Sequence, residues 1–223
     1  MGDRKENVME HDFCYVTKAE YGPVKAELEE LIHCVQDYIR DDYFTFSFTY
    51  VGSTHRRMIT RDRNSNIGYD FDVNIHVNDE DENFSAAKIR HILINAFNRF
   101  VRLYDYDFCE DSTRVITIKK KNYITSKILH SCDFAIVYDC NDGRQQYIHF
   151  NKEQNAYCWE YLPLSDDEIE ERADWLKNPK HNHWDEVKNL YIDKKNRNTD
   201  KSVKSRSIYR QTVNELYQRY CKN

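Results

Sequence analysis

Between Phe44 and Tyr50 every second residue is aromatic, with Thr45, Ser47 and Thr49 in between. A period of two sends one set to a core and the other to solvent, so Tyr43 to Val51 is predicted as a half-buried strand. The alternation returns from Asp70 to Val77, where Phe71, Val73, Ile75 and Val77 face one way. Asp70 and Asp72 therefore face the other way, together. Two stretches keep a helical period instead. Val24, Leu28, Leu31, Ile32, Val35 and Ile39 share a face and predict a helix from about Pro23 to Arg40, with Pro23 in its first turn. Ser85 caps a second helix whose buried side is Ile89, Ile92, Leu93, Ala96, Phe97, Phe100 and Val101.

Between these elements, Arg56 to Asn66 reads as a loop, or a short helix followed by one, and Asp79 to Glu82 as a solvated turn. Strands are predicted at Arg114 to Lys119 and Cys132 to Cys140. Asn141-Asp142-Gly143 forms a hairpin turn into Gln145 to Phe150. From Ser165 the period becomes helical, with Ser165 and Glu168 as a capping box and Pro179 as a breaker. Further helices are predicted at Trp184 to Lys194 and Val203 to Tyr220. The fold class is α+β: a mixed sheet with flanking helices and a C-terminal helical layer. The expected division is an α/β core over 1–162, including the N-terminal helix, and a helical extension over 163–223.

Composition narrows the functional classes. Tyr (17) and Phe (11) are abundant while Gly (5) and Pro (3) are scarce, which excludes collagen-like and linker-rich chains. No apolar run reaches the roughly 18 residues of a membrane span, and residues 1–12 are charged rather than signal-like. Glu6 stands where an N-myristoylation motif needs Ser or Thr. A cytoplasmic protein is expected. The seven cysteines contain no CxxC pair, so His130, Cys132 and Cys140 read as core groups rather than a metal site. From Lys177 onward, 12 Lys and Arg stand against 5 Asp and Glu, leaving the rest of the chain acidic. That asymmetry suits a nucleotide or RNA held near metal-binding carboxylates, as well as plain solvated helix faces.

Two like charges on neighbouring positions repel unless a cation sits between them. Asp70 and Asp72 thus suggest a divalent metal, and Asp133 offers a third carboxylate. It opens an otherwise apolar strand, where burial without a partner is costly. Asp139 shares that face and is the alternative; Asp133 is preferred. If the two strands are neighbours, three carboxylates converge to hold two Mg²⁺ (or Mn²⁺) ions about 3.5–4 Å apart. Asp70-x-Asp72-x-Asn74, with Asn78 and Asp81, also imitates a calcium loop. Ile75 stands where that loop needs glycine, and the strict alternation specifies a strand.

Gly52-Ser53, then Gly68-x-Asp70-Phe71-Asp72, then a separate Asp133 resemble the signature of the DNA polymerase β-like nucleotidyltransferase superfamily. The layout is most similar to its cyclic-oligonucleotide synthase and oligoadenylate synthase branch. The match covers about a third of the chain, roughly Tyr43 to Val77 and Arg114 to Tyr138. The resemblance implies that Gly52 lets the backbone approach the triphosphate and that Ser53 donates to it, in an anion-binding turn. It implies that Asp70 and Asp72 hold both metals and that Asp133 holds the one at the acceptor hydroxyl. The implied reaction is ATP-binding-type chemistry: NMP transfer from a nucleoside triphosphate to a hydroxyl, with pyrophosphate released. The acceptor implied is a nucleotide, an RNA end or another hydroxyl. Arg56 fits the motif, whereas Arg57 stands where the family commonly has glycine, and the stretch from Ser53 to Asp70 is longer than in compact members.

The competing class is a catalytically silent nucleotide-binding or nucleic-acid-binding module of the same fold. Tyr157, Trp159 and Tyr161 are candidates for base stacking or sheet packing. Lys119 to Lys121, and the stretch Lys194, Lys195, Arg197, Lys201, Lys204 and Arg206, are candidate phosphate contacts or solvated charge. His181 and His183 receive no role.

Overall fold

A computed structural model describes residues 11–79, 82–163 and 167–221. The elements in order are β1 (Phe13–Tyr15), α1 (Lys18–Ile39), β2 (Thr45–Val51), α2 (Gly52–His55), β3 (Thr60–Asp62), β4 (Tyr69–Asn78) and α3 (Ala86–Phe100), which runs into a 3₁₀ turn at Val101–Tyr104. Then come β5 (Glu110–Asp111), β6 (Val115–Asn122), β7 (Lys127–Asp139), β8 (Gln145–Asn151), β9 (Ala156–Tyr161), α4 (Asp167–Lys177), α5 (Trp184–Arg197) and α6 (Ser205–Cys221). The fold is α+β with a mixed sheet and flanking helices.

The chain separates into two compact units. One comprises Tyr15–Thr60 and Asn66–Leu164; the other draws on Met1–Cys14, Arg61–Ser65 and Ser165–Asn223. The helical unit therefore includes two segments that lie within the expected 1–162 core. In it the Phe13 amide donates to Asn196 Oδ1 at 2.6 Å, and Lys195 Nζ sits 3.9 Å from the Phe13 ring centre. His181 stacks on Trp175 and His183 on Tyr220, each with 3.7 Å between ring centres, so both histidines serve packing.

The first unit is built on the sheet β2-β4-β7-β6-β5, with β8 pairing the far end of β7 and β9 pairing β8. β4 and β7 run parallel; the other pairs here are antiparallel. Their apolar side carries Phe71, Val73, Ile75, Phe134, Ile136, Ile116 and Ile118, all buried. α1 and α3 complete this core with Leu28, Leu31, Ile32, Val35, Leu93 and Phe97. Phe97 stacks on Phe134 with ring centres 4.4 Å apart. Also on this side, Tyr106 Oη lies 2.9 Å from His130 Nε2, and Lys120 Nζ pairs with Glu27 at 3.0 Å. Burial, helped by the Lys120 charge, pushes the His130 pKa down to about 4, so the imidazole stays neutral. His130 and Cys132 are thus core groups, and Cys140 sits beyond β7 in the hairpin turn.

Several boundaries differ from the sequence pattern. α1 begins at Lys18 because Thr17 and Glu20 form a capping box that starts the helix a turn and a half earlier. Pro23 then lies within the helix, where it leaves the Ala19 carbonyl without its usual donor. The short helix starts at Gly52, ahead of the predicted loop, and the buried pair Met58 and Ile59 leads into β3. α5 runs on to Arg197, and Ser165 lies outside the described residues, so its capping role has no structural account. Tyr157 packs on Phe150 and under Arg90, Trp159 on Tyr138, and Arg144 covers Tyr161. Among the described residues no helix is long and apolar enough to cross a membrane.

Two glycines in this unit make opposite predictions. A Cβ on Gly68 would fall 1.9 Å from the backbone oxygen of Leu129, whereas one on Gly22 meets nothing within 4 Å. Gly68→Ala is therefore expected to cost on the order of 3 kcal/mol by urea denaturation. Gly22→Ala, in α1, should instead stabilise by about 0.5–1 kcal/mol. Equal effects would refute this account of the β4–β7 approach.

Candidate active site

The polar side of the sheet is set by the same alternation that builds the core. Register places Asp72 directly opposite Asp133 across the parallel β4–β7 pair, and Asp70 opposite Ser131. On the other side of β7, Thr117 of β6 stands opposite Asp133 and Lys119 opposite Ser131. Neighbouring strands lie about 4.8 Å apart, so the three carboxylates occupy adjoining positions of one surface. Val51, the last residue of β2, pairs with Asp72 and carries the chain straight into Gly52. Asp139 lies six residues farther along β7. It is occupied by His76 Nδ1 at 2.7 Å and Gln145 Nε2 at 2.5 Å, away from the carboxylate group.

Gly52 is required by geometry. Its φ is +60°, and a Cβ there would lie 2.6 Å from Asp72 Oδ2. The turn therefore presses its backbone against the middle carboxylate, where a side chain would fill the space. Ser53 and Arg56 follow within and just after α2, both half-buried. The Ser53 carbonyl accepts from the Met58 amide at 2.8 Å, which closes the turn. Arg57 has φ +56°, a left-handed backbone that glycine adopts freely and arginine at some cost.

The electrostatics report how close the carboxylates are. Burial, then the charges of Asp133 and Asp70, push the Asp72 pKa up to about 6, with Arg56 pulling the other way. Asp133 is also raised, mainly by burial, against a hydrogen bond that it accepts from Thr117 Oγ1 at 2.6 Å. Asp70 accepts from Ser131 Oγ.

Among the described residues, no group of three or more His, Cys, Asp or Glu side chains forms a ready-made metal cluster. The donor set nonetheless fits a hard divalent ion: three carboxylates on one surface, with room left beside Asp72 by Gly52. Lys119, one of the basic run, points to this surface and pairs with Glu110 at 2.5 Å, while Lys120 goes to the core side and Lys121 pairs with Asp107. Ser131 and Thr117 were missed from the sequence. The signal was available in the alternation, since each is two residues from, or directly across from, a carboxylate on the same face.

The lifted Asp72 pKa carries a pH signature. Its folded value lies above the unfolded one, so the stability linked to it is present at low pH and lost as pH rises from about 4 through about 6. Keeping Asp72 ionised at neutral pH costs on the order of 2–3 kcal/mol. Asp72→Asn should therefore raise the Tm of the metal-free protein at pH 7.5 by roughly 5 °C, and by little at pH 4. The same gain at both pH values in a thermal melt would contradict this origin.

No protein-family model matches this chain, and no curated protein matches it in sequence. Solved structures do match. The Vibrio cholerae dinucleotide cyclase DncV, in a mutant complex with ATP, GTP and 5MTHFGLU2, aligns with a TM-score of 0.61 at 12% identity, over 91% of this chain and 69% of that one. DncV cyclic AMP-GMP synthase with the linear intermediate 5′ pppA(3′,5′)pG gives 0.56 at 10% identity, over 81% and 61%. The form bound to 3′-deoxy ATP gives 0.54 at 17% identity, over 85% and 50%. This chain thus spans about half to two thirds of the length of most of these neighbours. The likeness is one of fold: this chain shares with these synthases a mixed sheet with flanking helices.

Proposed function

We propose that this chain is a metal-dependent nucleotidyltransferase that moves an NMP from a nucleoside triphosphate to a hydroxyl acceptor and releases pyrophosphate. The observation that carries it is the register of β4 and β7, which sets Asp72 against Asp133 beside a glycine turn with no room for a side chain. The neighbours' complexes with ATP, GTP and 3′-deoxy ATP support a triphosphate as the donor. The catalytic core is read as residues 1–162 and the helical extension as 163–223.

Asp70, Asp72 and Asp133 would hold Mg²⁺ or Mn²⁺. When bound, the metal supplies positive charge that stabilises the attacking and leaving oxygens of an in-line displacement. The chain's own groups do the rest. Gly52 admits the triphosphate to the backbone of the turn, and Ser53 donates its hydroxyl proton to a phosphate oxygen. Arg56, whose charge already reaches Asp72, offsets negative charge on the donor. Asp133, whose proton affinity burial raises, takes the proton of the acceptor hydroxyl. The hydroxyl oxygen then bonds to the α-phosphorus as the bond to the β-phosphate bridge breaks, and pyrophosphate departs with that electron pair. The acceptor is read as a nucleotide, an RNA end or another hydroxyl.

Pyrophosphate release with Mg²⁺ or Mn²⁺ and each of the four nucleoside triphosphates tests the reading. Asp72→Ala should lower the rate by about 10³-fold or more. Binding of a triphosphate with no metal-dependent release, in the presence of nucleotide and RNA acceptors, would identify a silent nucleotide-binding module instead.

A further inference from the structure

We propose that Ser131 and Thr117 are positioning residues of this site, whose hydroxyls clamp the two outer carboxylates so that one oxygen of each stays presented to a cation. The inference rests on the nucleotidyltransferase reading and adds residues to which it gives no role. Ser131 Oγ donates to Asp70 Oδ1, and Thr117 Oγ1 donates to Asp133 Oδ1 at 2.6 Å. In both pairs the hydroxyl takes Oδ1, and among the described residues no hydrogen bond reaches Oδ2 of either carboxylate.

The arrangement follows from register. Each donor stands on the strand next to its carboxylate: Ser131 of β7 opposite Asp70 of β4, and Thr117 of β6 opposite Asp133 of β7. Both backbones are held by pairing on each side, and Ser131 is buried, so neither hydroxyl is a freely rotating surface group. A carboxylate on a strand otherwise turns about its side-chain bonds, and three together turn away from one another. A fixed donor removes that freedom for the outer two and withdraws some of their charge. The middle carboxylate, Asp72, faces the Gly52 turn, where an added Cβ would lie 2.6 Å from its Oδ2. The outer two are thereby oriented before any cation arrives. Donors that orient metal-binding carboxylates typically govern affinity by about 10–100-fold.

The test is Mn²⁺ binding to the full chain with a non-hydrolysable triphosphate, followed by the free-Mn²⁺ spin-resonance signal. Ser131→Ala and Thr117→Val remove the donors with little change of volume, and Ser131→Thr and Thr117→Ser restore them. The expected result is Mn²⁺ affinity weakened about 10–100-fold in the first pair and largely recovered in the second, at unchanged Tm. Adding Ser131→Ala to Asp70→Asn should produce little further loss, because the carboxylate it orients is gone. Wild-type binding with all variants within threefold of it, or additive losses in the double variant, would overturn the positioning role and leave the transferase reading intact. No Mn²⁺ binding by the wild type would overturn both.

Discussion

Electrostatic repulsion among three carboxylates is the constraint around which this sheet is arranged. Asp72 and Asp133 are register partners on parallel strands, with Asp70 one side-chain position away on the same face. Each added charge raises the cost of ionising the others. The surroundings answer the repulsion locally: hydroxyl donors for Asp70 and Asp133, an arginine in range of Asp72, and a lysine near Asp133. The apolar side opposite is conventional, with two helices over a layer of Phe, Ile and Val that keeps the strands straight and the register unique.

Backbone approach is the second ingredient, and it explains why two glycines bracket the site. Gly52 brings the turn after β2 against Asp72, and Gly68 brings the entry of β4 against β7. Both positions exclude a methyl group for reasons of contact, and the first also demands a positive φ. A chain so poor in glycine spends two of its five where the polar surface is assembled.

Much of this was legible in the sequence because one periodicity decides both faces of a strand. The run from Phe71 to Val77 fixed its own burial, so the opposite orientation of Asp70 and Asp72 followed without tertiary information. The pairing of β4 with β7 was legible only through the resemblance, since no local pattern specifies which strands become neighbours. Ser131 shares the Asp133 face by alternation alone, whereas Thr117 carries no signal until β6 is known to pair with β7; small hydroxyl residues are common on sheet faces, and neither stood out. The true start of α1 was obscured by Pro23, which marks a helix entry in many sequences. Here the Thr17 and Glu20 box prevails over the missing amide. β3 was hidden by a polar stretch in which only Met58 and Ile59 are buried.

The parallel β4–β7 pairing also has a history in time. Asp72 and Asp133 are 61 positions apart in the chain, and α3 and the β6 hairpin lie between them. Closing so long a loop is entropically costly and slow compared with forming a helix or hairpin. On the ribosome, Asp70 and Asp72 emerge several seconds before their third companion, given synthesis at roughly 5–20 residues per second. Until then they are two ordinary carboxylates in water. The concentrated negative charge therefore does not burden the first half of the chain; it comes into being only when β7 pairs with β4, in the same step that brings Phe134 and Ile136 into the core.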